Sequence, residues 1–338
     1  MNSEQESEGS ALDALAQTAM SVIDGVSLPA PVRRNALKAF DQLCAAIVDI
    51  PVAYLEGFAQ SKRAENNARA DLIRQSGDQI KAGIEVDPSY ARAAAAKYAQ
   101  KIVRERQSID QVTSIAANQL ENLNKGNESG SEEEISQDWI NNFENEASQK
   151  SSSDMQELFG NILAGEITKP GSFSIRAVKI LGQMDTRVAK LFQTLCSTAI
   201  SLQAAGHFFD ARVASLGGSA AANSLAKYGL NFDNLNTLQE YGLVISDLNS
   251  WMDYRPAIAQ NGAVSIGFTH AGQLYGLVPK QERPSSAEFK VHGVMLTKAG
   301  RELMKIVPIM PNEAYTKDLM AYFDKNGFTV AMARSPAT

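Results

Sequence analysis

The chain has 338 residues, with 32 Lys and Arg against 38 Asp and Glu, a formal net charge of -6, 44% hydrophobic and 21% charged residues. That balance excludes wholesale disorder, collagen-like and mucin-like repeats, and a polycation made to coat nucleic acid. The length predicts about two ordinary domains, or one core with a long attached element.

Cys44 and Cys196 stand far apart in apolar helical patterns, which is neither a disulfide framework nor a zinc set, and fits a reducing cytoplasm. The opening MNSEQESEGS lacks the basic and apolar stretches of a signal peptide. No window reaches the roughly 18 uninterrupted apolar residues of a membrane span. The expected location is cytoplasmic.

The expected fold is mainly α: long N-terminal helices, a central helical domain and a winged-helix-like α+β part at the C-terminus. Residues 1–9 read as a disordered lead-in, 10–123 as the long-helix region and 124–131 as a linker. The central helical domain takes 132–205 and the winged-helix-like domain 206–338.

A short helix is predicted from Ala11 to Asp24. After Leu28-Pro29-Ala30-Pro31, the series Ala36, Phe40, Leu43, Ile47 marks one helical face that Pro51 interrupts. Ala39 to Phe58 is the most apolar helical stretch, but Asp41, Asp49 and Pro51 make it a buried or interfacial helix and not a span. Proline-free stretches from Val52 to Ile84 and from Ser89 to Leu123 predict two long helices split at Glu85-Val86-Asp87-Pro88.

Beyond the Gly/Asn/Ser-rich 124–131, Ser131 with Glu134 and Ser153 with Gln156 read as capping boxes. They stand ahead of helices carrying Trp139 and Phe143, and Leu158, Phe159, Ile162 and Leu163. A further helix is expected from Thr186 to Leu202. Then come a short helix at Ala221–Tyr228, a helix at Asn231–Tyr241 ending on Gly242, and strands at Ala263–His270 and Val291–Leu296. Helices at Lys298–Val307 and Pro311–Phe323 and a strand at Phe328–Met332 close the chain. Helix, short helix, helix, strand, long hairpin, strand is the layout of a winged helix.

The sequence carries no G-x-S-x-G, no P-loop, no H-E-x-x-H and no dinucleotide fingerprint. His207, His270 and His292 are its three histidines. His270 and His292 approach each other only if their strands pair, and further metal ligands are missing nearby, so neither metal nor cofactor is expected. The densest polar motif runs from Met155 to Leu181. In it Ser172 or Ser174 caps a helix, and Glu166 and Arg176 flank a Lys-Pro-Gly turn that they could clamp as an ion pair. Either the pair holds a structural corner, or Glu166, Arg176, Trp139 and Phe143 line a binding site.

The charge is uneven along the chain. Residues 58–106 hold ten bases and six acids, net +4, whereas 107–157 hold eleven acids and two bases, net -9. Arg63, Arg69, Arg74, Lys97, Lys101 and Arg104 make a basic surface fit for an anionic partner, a membrane surface or the acidic segment of another copy. The helix in the DNA-reading position has no such charge. From 231 to 253 there are four acids and no base, which repels a phosphate backbone and turns the winged helix toward protein contact.

The run from Asp138 to Phe192 contains Trp139 and Phe143, then QELFGNILAGE (Gln156–Glu166) and PGSFSIR (Pro170–Arg176). It resembles an uncharacterised bacterial domain-of-unknown-function family, the one numbered 2806. Phe159 stands where many members have Trp. The segment DIPVAYLEGFAQSKRAENNARADLI (Asp49–Ile73) is similar to abortive-infection alpha proteins. The resemblance implies a place among mobile-element or phage-defence genes and no established activity.

The expectation is therefore a non-enzymatic, self-associating interaction protein acting as sensor or effector in antiviral defence. The alternatives are a winged-helix transcription regulator and an enzyme with an unrecognised site around Glu166 and Arg176.

Overall fold

The computed structural model describes residues 28–43, 88–124, 131–204, 207–218, 221–260 and 263–333. The helices expected at 11–24 and 52–84, the apolar stretch beyond Leu43, and Arg63, Arg69 and Arg74 lie outside the described residues.

Helix α1 (Ala30–Leu43) carries Pro31 in its first turn, where no intrahelical donor is lost, and buries Val32, Ala36, Ala39, Phe40 and Leu43. Helix α2 (Pro88–Asn124) starts on a proline for the same reason and spans 37 residues. Among its described side chains the buried apolar positions are Ile109, Val112, Ala116, Ala117 and Leu120. Helix α3 (Gln137–Ala147) buries Trp139, Ile140 and Phe143.

Helix α4 (Ser153–Thr168) has the sequence SDMQELFGNILAGEIT and is apolar on most sides, so it needs several neighbours. It packs against both α1 and α2. Helices α5 (Ile175–Gln183) and α6 (Thr186–Thr198) follow, capped by Ser174 and Asp185, whose side chains accept from the Ala177 and Val188 N–H groups.

Neither expected capping box forms. Helix α3 begins at Gln137, and Glu134 instead pairs with Arg34 and Lys38 of α1 at 3.6 and 3.5 Å. Helix α4 begins at Ser153, and the Gln156 amide donates to the Lys150 carbonyl at 2.9 Å and to Ser108 Oγ at 3.4 Å. In both places a long-range partner outcompetes the local cap.

The remainder corrects the mainly α expectation. The strands are β1 (Ile200–Ala204), β2 (His207–Ala214), β3 (Val244–Ile245), β4 (Trp251–Asp253), β5 (Phe268–His270), β6 (Gln273–Pro279), β7 (Lys290–Leu296) and β8 (Phe328–Met332). They form one 8-stranded sheet in the order β3-β7-β2-β1-β5-β6-β8, with β4 also on β7. Every strand pair is antiparallel. Helices α7 (Phe232–Glu240), α8 (Lys298–Met304) and α9 (Glu313–Lys325) accompany the sheet.

These segments do not form a separate winged helix, because β7 pairs with β2 as well as with β3 and β4 and is one strand of the wide antiparallel sheet. The helix expected to reach Leu202 stops at Thr198, and Ile200 and Leu202 become buried strand positions opposite Arg212 and Asp210. The helix expected at Ala221–Tyr228 shrinks to a 3-10 turn at Ala226–Tyr228, and the strand expected from Ala263 is regular only from Phe268.

Candidate functional site

The Met155–Leu181 motif folds into a corner between α4 and α5. Glu166 lies near the end of α4 and is 3% exposed. Its Oε1 accepts the Gly171 N–H at 2.7 Å and its Oε2 accepts the Phe173 N–H at 2.9 Å, so one carboxylate closes the Lys-Pro-Gly-Ser-Phe turn. On the far side of that turn, Glu302 of α8 accepts from Ser174 through both the backbone N–H at 2.8 Å and the hydroxyl at 2.6 Å. The same Ser174 Oγ caps α5. Trp139 Nε1–H donates to the Phe173 carbonyl at 2.7 Å.

Trp139 also stacks on Phe143 at 5.1 Å, and Phe143 meets Phe159 edge-on at 5.6 Å. Phe173 lies so close to Gly165 that a Cβ there would sit 2.7 Å from its ring, which is why the helix carries glycine at that turn. The loop is thus held by two carboxylates, an indole and a ring seated on bare backbone.

Burial pushes the Glu166 carboxyl above its ordinary range, against the pull of the turn's N–H groups, and nearby Glu302 adds to the rise. Lys305 stands beside the same cluster, its pKa lowered mainly by burial while Glu302 and Glu166 oppose the fall.

The expected clamp between Glu166 and Arg176 is therefore corrected. Arg176 is exposed, and no ion pair joins the two among the described residues. A Cβ on Gly242, the positive-φ residue (φ 73°) after α7, would lie 3.0 Å from an Arg176 terminal nitrogen. Trp139 and Phe143 are 3% and 0% exposed, which closes them to a ligand. Ser174, Glu302 and Lys305 complete the corner, and Glu302 and Lys305 escaped the sequence reading. Only Ser174 carried a local signal, as a possible cap.

The basic residues divide. Lys97, Lys101 and Arg104 are exposed on the first half of α2, and Lys101 makes an i,i+4 pair with Glu105 at 3.6 Å. Ile102 and Val103, each 47% exposed, stand among them. From Ser108 onward one face of the same helix is buried against the body.

The histidines do not converge. Strands β5 and β7 are separated by β1 and β2, so His270 and His292 are not neighbours in the sheet. His270 is 1% exposed, with Nδ1 at 3.0 Å from the Ala199 carbonyl and Nε2 at 2.9 Å from Thr316 Oγ1, and burial lowers its pKa. Among the described residues no group of three His, Cys, Asp or Glu is placed to hold a metal ion.

A second buried polar centre lies in β2. Arg212 donates to Asp210 through Nε at 2.6 Å and Nη2 at 2.9 Å, and its Nη1 reaches the Val291 and Ser250 carbonyls at 2.8 and 3.1 Å. Tyr254 OH donates to Asp210 at 3.1 Å. Arg212 and Asp210 are 1% and 2% exposed, so this network ties β2, β4 and β7 together out of reach of solvent.

A cleft of about 920 Å³ opens between residues 255–260 and the β6–β7 connection, where Arg255, Lys280 and Arg283 stand near Gln260 and Glu282. Its cations are already engaged: Arg255 with Asp253, Lys280 with Asp324, and Arg283 with the Glu288 carbonyl and the Phe328 ring.

These features define a protein in which a helical assembly with a tightly pinned corner is joined to an antiparallel sheet. The family model described as protein of unknown function (DUF2806) matches residues 92–320, which take in the corner, both buried polar centres and most of the sheet. The chain belongs to that family. No curated protein and no solved structure matches it.

Proposed function

We propose that this chain is a non-enzymatic, cytoplasmic interaction protein that works as a self-associating sensor or effector in bacterial antiviral defence of the abortive-infection type. The observation that carries the interaction reading is the change of character along α2. Its second half is packed, whereas its first half presents Lys97, Lys101 and Arg104 around exposed Ile102 and Val103. A helix that sets apolar side chains among cations in water is suited to an acidic protein surface. The motif residues support the same reading, since Glu166, Trp139 and Ser174 use their polar groups on the corner itself. The defence setting rests on the likeness of Asp49–Ile73 to abortive-infection alpha proteins.

The test is phage plating on cells expressing the chain or its Lys97→Glu/Lys101→Glu/Arg104→Glu variant. Protection by the wild type that the variant loses, at equal folded protein, is the expected result. Unchanged plating by the wild type across a diverse phage panel removes the defence reading. Equal protection by the variant removes the α2 surface.

A further inference from the structure

The pinned corner has an outer face whose charge runs against that of the whole chain. Segments 166–179 and 298–305, which build the corner, hold six bases and two acids, net +4, in a chain of net charge -6. The two acids are Glu166 and Glu302, both buried, with their carboxylates spent on the Lys-Pro-Gly-Ser-Phe turn and on Ser174. The bases are on the outside: Lys169, Arg176, Lys179, Lys298 and Lys305 are exposed and Arg301 is half-buried. Among the described residues the one ion pair that any of them makes is Lys298 with Glu302, at 3.9 Å.

Contacts join these bases into one surface. On α8, Lys298, Arg301 and Lys305 follow at i, i+3 and i+7, so they share a helical face about 10 Å long. Glu302 ties that helix to Ser174, the cap of α5, where Arg176 and Lys179 stand about one turn apart. Arg176 lies against Gly242, whose carbonyl accepts at 2.6 Å from Thr297 Oγ1, the residue before Lys298. Lys169 stands near enough to Lys305 for the two charges to repel.

The surface ends on aromatic rings. Lys305 Nζ lies 5.9 Å from the centre of the Phe208 ring on β2. Phe209, which the β1–β2 pairing passes over at a bulge, is 55% exposed, and His207 is exposed before it. A ring left in water beside a row of cations has stacking to offer as well as charge.

We infer that this face binds single-stranded nucleic acid, with the sugar-phosphate backbone along α5 and α8 and unpaired bases on His207 and Phe209. Charge complementarity calls for a polyanion, since the chain supplies these cations with almost no counter-charge of its own. The rings select nucleic acid over an acidic peptide. They also select a single strand over a duplex, whose stacked bases present no free face. The surface is separate from the first half of α2 and from the acidic 231–253 segment, at whose border Arg176 stands.

The experiment is fluorescence anisotropy of labelled oligothymidylate and oligouridylate of about 16 nucleotides, titrated with the full chain over a range of salt. The wild type is expected to bind both, with log Kd rising against log salt at a slope of about 3 to 4, the value for about five cations on a single strand. Arg176→Gln/Lys298→Gln/Arg301→Gln should lower that slope by about 2 and weaken binding about a hundredfold at the lowest salt. Lys169→Gln/Lys179→Gln, on the turn and the other helix, should lower it by about 1. Phe209→Ala should weaken binding about tenfold and leave the slope unchanged. Circular dichroism should match the wild type throughout.

No binding by the wild type at the lowest salt overturns the inference. So does an unchanged slope in both glutamine variants. Polyglutamate or duplex DNA that displaces the strand at equal charge also overturns it, because the rings then select nothing. The Lys97→Glu/Lys101→Glu/Arg104→Glu variant should bind as the wild type does, and loss of binding there would move the site to α2.

Discussion

Glu166 and Asp210 are carboxylates removed from water in two different regions, and the chain satisfies them by opposite means. In the helical region Glu166 is met by neutral backbone N–H groups of a single turn. In the sheet Asp210 is met by the guanidinium of Arg212 and the hydroxyl of Tyr254, with Arg212 reaching on to two carbonyls. The first arrangement survives protonation, because a carboxylic acid still accepts through its free lone pairs. The second depends on a particular partner, since each ion is buried only because the other is there.

The largest effect is expected from removing that partner. Arg212→Met strands Asp210 and two carbonyls, and unfolding by urea should show a loss of about 3–5 kcal/mol. A loss below about 1 kcal/mol would mean that Asp210 is held by Tyr254 alone.

Glu166→Gln places an amide donor against an N–H group of the turn. It should cost about 1–3 kcal/mol in the same measurement.

The Glu166 arrangement can also be tested by pH. Burial raises the folded pKa of Glu166 above its ordinary 4.5. Between the ordinary and the folded value the native state binds more protons than the unfolded chain, so this residue's contribution to stability falls as pH rises. Glu166→Gln has no such slope. The stability gap between wild type and Glu166→Gln should therefore be widest on the acid side and narrow as pH rises through that interval. A gap independent of pH contradicts the raised pKa.

The smallest effect is expected at the indole. Trp139→Phe keeps the stack on Phe143 but leaves the Phe173 carbonyl without its donor, a loss of about 1 kcal/mol in thermal or urea unfolding.

What could be read from the residues follows the same division. Val291–Leu296 and Phe328–Met332 were read as strands and are strands, and Ser174 and Gly242 carry the local chemistry of a cap and a helix stop. Strand β2 was not legible, because HFFDARVA sets Asp210 and Arg212 in a buried stretch and charges read as solvent-facing until their partners are known. The helix reading ran on through Ile200 because no glycine or proline marks the switch after Thr198, and only pairing with β2 decides it.

The corner around Glu166 was read with the wrong partners. Glu166 does hold the Lys-Pro-Gly turn, but it does so through peptide N–H groups, which no sequence letter announces. Glu302, the matching hold on Ser174, lies 128 positions away.

The strand order also governs how the molecule is made. Strand β7 sits between β3 and β2, and β8 completes the far edge. A ribosome that has delivered residues 200–289 has therefore released a sheet whose β2 edge is bare and whose β3 and β4 have nothing to pair with. The buried Arg212 likewise waits for the Val291 carbonyl. Closure of this half is a late event in synthesis, and a nascent or truncated chain ending before Lys290 presents unpaired strands to chaperones and to its neighbours on the same messenger.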